Sequence, residues 1–167
     1  MRILVVGETQ FVGRHIVEAA IARGHHVTLF HRGVTGDDLF PEVTHLHGDR
    51  DSELTPLATG EWDATIDTCA YVPRQVRALA DALGGRGGHY TFISTISIYA
   101  DPPGPGIDED APLRTLEDST TEVVDGDTYG GLKVLCEAAA RQAFADVAIV
   151  RPSYVVGPHD HTERFTW

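Results

Sequence analysis

The 167 residues carry 25 acidic and 13 basic side chains, a net charge of -12. That balance argues against a nucleic-acid surface, which needs clustered Lys and Arg to neutralise phosphates. A hydrophobic content of 42% and a charged content of 23% fit one ordinary globular domain with a real core, and no apolar run approaches a membrane span.

Residues 3–6, Ile-Leu-Val-Val, form a continuous apolar run that leads into Gly7. The run is too short for the core of a signal peptide, so it reads as a buried strand, and a cytoplasmic location follows by default. Residues 12–23 repeat apolar side chains at helical spacing through Val12, Ile16, Ala19 and Ala20, and stop at Gly24. Strands are expected at 26–30 and 44–47, the latter ended by Gly48-Asp49, and a short helix at 51–59. Another strand at 64–67 precedes a helix that starts at Pro73 and runs to about Leu83, where a Gly-rich stretch, 84–88, breaks it. A fifth strand covers 89–94, a long helix 128–144, and a sixth strand 147–150.

Strands that are apolar throughout, rather than alternating with polar residues, suit a parallel sheet buried on both faces. Alternation of such strands with helices predicts an α/β fold: a Rossmann-type doubly wound parallel sheet flanked by helices. Residues 101–127 depart from the pattern, being acidic and holding Pro102, Pro103, Pro105 and Pro112. They read as a long loop over the strand ends, where the active sites of such sheets lie, with a plain surface loop as the alternative.

Gly7-Glu8-Thr9-Gln10-Phe11-Val12-Gly13 joins the first strand to the first helix. Gly7 permits a tight turn, the helix start offers unpaired N–H groups to a pyrophosphate, and Gly13 lets the helix sit close to the sheet. The usual middle glycine is replaced by Gln10, which obstructs the backbone's approach or adds a hydrogen bond of its own. At the end of the second strand, where an acidic residue would hold the 2′-hydroxyl of NAD, stands Phe30-His31-Arg32. Arginine there can pair with a 2′-phosphate, so NADP(H) is favoured over NAD(H); a solvated loop charge is the alternative. Asp49 and Arg50 follow the third strand, with Asp49 a candidate partner for the adenine amino group or simply a turn former after Gly48.

Tyr129 and Lys133, four residues apart, share one face of the predicted long helix. An ammonium beside a phenol lowers the phenol pKa and makes it a usable proton donor and acceptor near neutral pH. Y-x-x-x-K occurs by chance in many helices. It gains weight from the glycine turn and from Thr95 after the fifth strand.

Together these residues resemble the extended short-chain dehydrogenase/reductase superfamily, in its NAD-dependent epimerase/dehydratase family. The glycine turn, Gly48-Asp49, residues 92–99 (Phe-Ile-Ser-Thr-Ile-Ser-Ile-Tyr), Tyr129 with Lys133, Arg151-Pro152 and Gly157-Pro158 match in order over essentially the whole chain. Without the middle glycine, the chain is similar to an atypical branch that includes the chloroplast stem-loop-binding proteins. The resemblance implies that Thr95 holds the substrate oxygen, with Ser94 and Ser97 as alternatives. Tyr129 would exchange the proton, and Lys133 would bind the nicotinamide ribose. It also implies that Thr68, Cys69 and Ala70 touch the ribose side of the cofactor and that Pro152 and Ser153 lie near the nicotinamide.

Two departures stand out: the interval from Thr95 to Tyr129 is longer than in sugar epimerases, and family members are about twice this length. Their substrate part lies largely beyond the sixth strand, so residues 1–167 are expected to be an NAD(P)-binding domain whose substrate part is missing. The expected activity is oxidoreductase, epimerase or dehydratase chemistry at a hydroxyl or carbonyl carbon of a small molecule, by family default a sugar or sugar nucleotide. A homodimer is one assembly the chain allows. The competing reading is a non-catalytic nucleotide- or RNA-binding protein on the same fold.

Remaining candidates have plainer readings. His45 and His47 alternate on one short strand and read as ordinary sheet residues. His159-Asp160-His161 has the donors of a metal site but reads as a polar loop. Trp62 and Tyr71 read as packing, as does Cys136. Cys69 lies near the expected cofactor without the partners of a nucleophile. Cys69 and Cys136 form no CxxC pair and are expected to be two free thiols.

Overall fold

A computed structural model of the chain describes residues 1–7, 10–34, 36, 38–100 and 104–160. Six strands form one sheet: β1 (Arg2–Val6), β2 (His26–His31), β3 (Thr44–His47), β4 (Ala64–Asp67), β5 (His89–Ile93) and β6 (Val147–Val150). Their order is β3-β2-β1-β4-β5-β6, and every pairing is parallel. The helices are α1 (Phe11–Ala22), α2 (Pro73–Leu83) and α3 (Tyr129–Ala143). This is the expected doubly wound arrangement. The strand order reverses at β1, between β2 and β4, and that crevice is where such sheets bind ligands.

The apolar run of β1 is explained by its central place. Leu4 and Val6 face one core layer with Phe30, Val76, Leu79, Tyr90 and Phe92. Ile3 and Val5 face the other, with Val17, Ala20, Val27 and Leu29. Alternate residues enter opposite layers, so both must be apolar. Helix α1 contributes Val17 and Ala20 to the second layer. Helices α2 and α3 cover the first through Val76, Leu79 and Leu83 and through Cys136, Ala139 and Ala140. Tyr90 stacks on Phe144 at 3.8 Å with the rings parallel, worth about 0.5–1.5 kcal/mol beyond the area buried. Trp62 and Cys136 are packing residues, as expected, and both cysteines are free.

Pro73 opens α2 with its fixed φ, and the Gln75 side chain reaches back to accept N–H bonds from Tyr71 at 2.8 Å and Val72 at 3.3 Å. Helix α3 enters against the turn after β5. A side chain at Gly130 would run into the Ser97 carbonyl, so the close approach depends on glycine there.

The short helix expected at 51–59 is a single 3-10 turn, Thr55–Ala58, with only Leu57 buried. Pro56 suits a tight turn and one buried residue gives no face for a longer helix to pack. The strand at 89–94 ends one residue early, at Ile93; the Ser94 N–H still donates to the Val150 carbonyl, and its hydroxyl donates to Glu137 of α3. Within the acidic loop, Ala100 N–H donates to the Pro112 carbonyl and Arg114 N–H to the Ile98 carbonyl, so this segment is pinned beside the turn after β5.

Candidate active site

The C-terminal ends of β1, β2, β4 and β5 form a continuous rim with two clefts along it. The first, of about 210 Å³, is lined by Gly7, His31, Arg32, Asp49, Arg50 and Cys69 among others. The second, of about 740 Å³, is lined by Thr95, Ser97, Arg114, Tyr129, Ser153 and Tyr154 among others. Tyr71 lines both.

Gly7 holds the floor of the first cleft. Its φ is +120°, its N–H donates to the Phe30 carbonyl at 3.1 Å, and a Cβ there would strike Thr68 Oγ1 and the Cys69 side chain. Thr68 turns back, its N–H and its hydroxyl both donating to the Val6 carbonyl at 3.0 and 3.1 Å. These bonds draw the ends of β1, β2 and β4 together so closely that only a residue without a side chain fits at position 7. Gln10 caps α1 in extended conformation, and among the described residues no acidic side chain lies in the first turn and no side chain caps it. That helix start, close to Gly7, suits a phosphate group. Thr9 lies outside the described residues. Phe11 and Gly13 are buried, Val12 is half-buried, and Phe11 packs edge-on against His15.

Arg32 stands exposed at the mouth of the first cleft. Asp49 also lines it, and its carboxylate accepts the Asp51 N–H at 2.9 Å, so it forms the turn as well. Arg50 does more than line the cleft. Its guanidinium lies across Asp67 in a two-pronged pair of 2.8 and 3.0 Å and donates to Cys69 Sγ at 2.9 Å. Asp67 is fully buried and also accepts bonds from Tyr90 Oη at 2.8 Å and the Cys69 N–H at 3.1 Å. Burial works against its charge, but Arg50 and these donors hold its carboxyl below the usual range. Tyr90 goes the other way: burial and the adjoining Asp67 charge push its phenol well up. Arg50 Nε is buried without a partner, the only such side-chain atom among the described residues.

Lys133 is buried at 2% exposure. Its ammonium donates to the carbonyls of Ala70 at 3.0 Å and Ile93 at 2.8 Å, and it lies 4.2 Å from the Phe92 ring centre. Burial lowers its pKa to about 8. Half-buried Tyr129 opens α3, with its ring 6.4 Å from that of Tyr71. Tyr71 is therefore no packing residue: at 44% exposure it stands between the clefts, with Lys133 Nζ 5.7 Å from its ring. Thr95 Oγ1 accepts the Ser97 N–H at 3.1 Å and starts the 3-10 turn Ile96–Ile98. Ser94 is withdrawn, buried and donating to Glu137 at 2.6 Å. Pro152 accepts the Ile96 N–H through its carbonyl, and Ser153 lies exposed at the second cleft. Ala70 is fully buried and reaches the site only through its carbonyl.

Sequence reasoning missed the buried charges beneath the rim. Glu137 accepts from Ser94 and from Arg151, whose Nη2 lies 2.7 Å away and whose Nη1 donates to Tyr99 Oη at 2.9 Å. Asp67 ends an apolar strand and Glu137 lies two turns past Tyr129, and charges at those buried positions were the available signal. Arg114, in the second cleft, donates through Nε to the Tyr99 carbonyl at 3.2 Å.

No family model matches the chain. It is 25% identical over 182 aligned positions to the chloroplast stem-loop binding protein of 41 kDa b of Arabidopsis thaliana, covering 99% of this chain and 45% of that protein. Among solved structures it resembles UDP-N-acetylglucosamine 4-epimerase from Bacillus cereus, with a TM-score of 0.66, 18% identity, and coverage of 90% of this chain and 53% of that one. It also resembles a short-chain dehydrogenase/reductase superfamily protein from Agrobacterium tumefaciens with bound NAD, with a TM-score of 0.69, 23% identity, and coverage of 90% and 48%. The chain spans about half the length of these proteins. Its fold is similar to that of these epimerase and short-chain dehydrogenase/reductase structures. Among the described residues no helix is long and apolar enough to cross a membrane.

Proposed function

We propose that the chain is the dinucleotide-binding unit of an NAD(P)-dependent oxidoreductase or epimerase. The observation that carries this reading is the pairing of the two clefts: Gly7 and Arg32 line one, Thr95 and Tyr129 the other, and Tyr71 lines both. The adenosine end of the cofactor would lie in the first cleft, its pyrophosphate at Gly7 and the start of α1. Arg32, at the mouth, would take the 2′-phosphate of NADP(H). Lys133, whose ammonium donates to the Ala70 and Ile93 carbonyls, would hold the nicotinamide ribose.

When bound, the nicotinamide supplies or accepts a hydride at the substrate carbon. Tyr129 gives a proton to the oxygen of a carbonyl substrate, or takes one from a hydroxyl, so that hydride and proton together balance the reduction or oxidation. Thr95 holds that oxygen in place for transfer. A sugar or sugar nucleotide is the proposed substrate class, and residues 1–167 are proposed to act as one unit.

A fluorescence titration with NADPH and NADH tests the proposal. Binding of NADPH tighter than NADH, with the preference reversed in Arg32→Asp, is expected. Failure of the folded protein to bind either dinucleotide would remove the proposal. The name of the Arabidopsis relative favours a second reading, RNA binding on the same fold. A net charge of -12 weighs against it, and salt-sensitive binding of a stem-loop without dinucleotide binding would establish it.

A further inference from the structure

His31 ends β2, and His45 and His47 lie two apart on β3. The register pairs His31 with His47 and Leu29 with His45, so all three side chains stand on the α1 face of the sheet at its β3 edge. The His31 ring centre is 5.1 Å from that of His45 and 5.1 Å from that of His47. One nitrogen from each ring lies within 4.8 Å of the others. His31 is buried, His45 half-buried and His47 exposed, so the group opens to solvent on one side.

We propose that His31, His45 and His47 form a binding site for a divalent transition ion of the zinc class. Imidazole nitrogen selects zinc, cobalt, nickel or copper over magnesium and calcium, which prefer oxygen. Three histidines with an open side leave a fourth position for water. At metal–nitrogen distances of about 2.0–2.1 Å, tetrahedral ligands lie about 3.3 Å apart. His31 Nε2 and His45 Nδ1 are now 2.8 Å apart, so this pair needs to open by only about half an ångström.

The outer partners define what loading requires. His45 Nε2 meets the Phe40 carbonyl at 3.2 Å, which holds the proton on Nε2 and leaves Nδ1 free to coordinate. The Gly33 N–H donates to His31 Nδ1 at 3.1 Å, which places the His31 proton on Nε2, donated to His45. An ion bound at His31 Nε2 moves that proton to Nδ1 and displaces the Gly33 N–H. Metal loading therefore shifts the backbone that carries Arg32, without depending on any dinucleotide.

The test is calorimetric titration of the untagged protein with zinc, with cobalt as a spectroscopic probe. One ion per chain is expected, with visible cobalt absorption of four-coordinate type and a displaced Gly33 amide resonance. His45→Ala should weaken binding by more than about 100-fold, beyond the usual effect of outer-shell partners. His47→Gln, at an exposed position that folding tolerates, should weaken it similarly, while His159→Ala should leave it unchanged. Absence of binding by the folded protein, binding indifferent to His47→Gln, or binding lost with His159→Ala would each overturn the site.

Discussion

Lys133 Nζ donates at 2.8 Å to the carbonyl of Ile93, the last residue of β5, and so ties the helix that begins at Tyr129 to the strand that delivers Thr95. The same burial that makes this tie lowers the ammonium pKa to about 8. Lys133 is charged below that value and neutral above it. Dinucleotide affinity, if the ammonium holds the ribose, should fall as pH rises through about 8. A titration series from neutral to alkaline pH checks this, with Lys133→Met expected to bind weakly and without that pH dependence. Matching profiles for the two proteins would separate Lys133 from the cofactor.

Tyr129 is proposed to move the proton rather than hold the dinucleotide. Tyr129→Phe should therefore lower turnover by about 100- to 10,000-fold while leaving NADPH affinity nearly unchanged. Nicotinamide absorbance follows the first and fluorescence titration the second. Retained turnover would refute the assignment.

Asp67 and Arg50 form a pair buried beneath the first cleft. Asp67→Asn leaves the guanidinium without its counter-charge and should destabilise the fold by about 3–5 kcal/mol in urea unfolding. The Asp67 pKa is lowered in the folded state. The native protein therefore holds this contribution above about pH 4 and loses it as pH falls through the lowered folded value. The acid limb of the stability curve should be shallower in Asp67→Asn.

Gly7→Ala should lose dinucleotide binding, because the new methyl group meets Thr68 Oγ1 and the Cys69 side chain and forces apart the strand ends beside the first cleft. Its backbone at φ +120° also disfavours alanine, adding about 1–3 kcal/mol of strain. Wild-type affinity in this variant would place the dinucleotide elsewhere.

The sheet was legible because β1 is apolar on both faces and the helices carry clear stops at Gly24 and Gly84. Tyr129 was singled out by its spacing from Lys133 and Thr95 by the family resemblance, and both line the second cleft. The tasks of Lys133 and Arg50 were not, because a sequence does not say which carbonyl or carboxylate a buried cation meets. Tyr71 was misread for a related reason: an aromatic residue beside an apolar strand has the composition of a core, and only the turn before α2 exposes it. The histidine group was not legible either, because it is the register that brings His47 of β3 beside His31 of β2.

Gly130 packs where any side chain would meet the Ser97 carbonyl. One missing methyl group thus sets the gauge between the helix of Tyr129 and the turn of Thr95. An enlarged residue there would leave both hydroxyls chemically intact and hold them at the wrong span, like a caliper reset by the thickness of a shim.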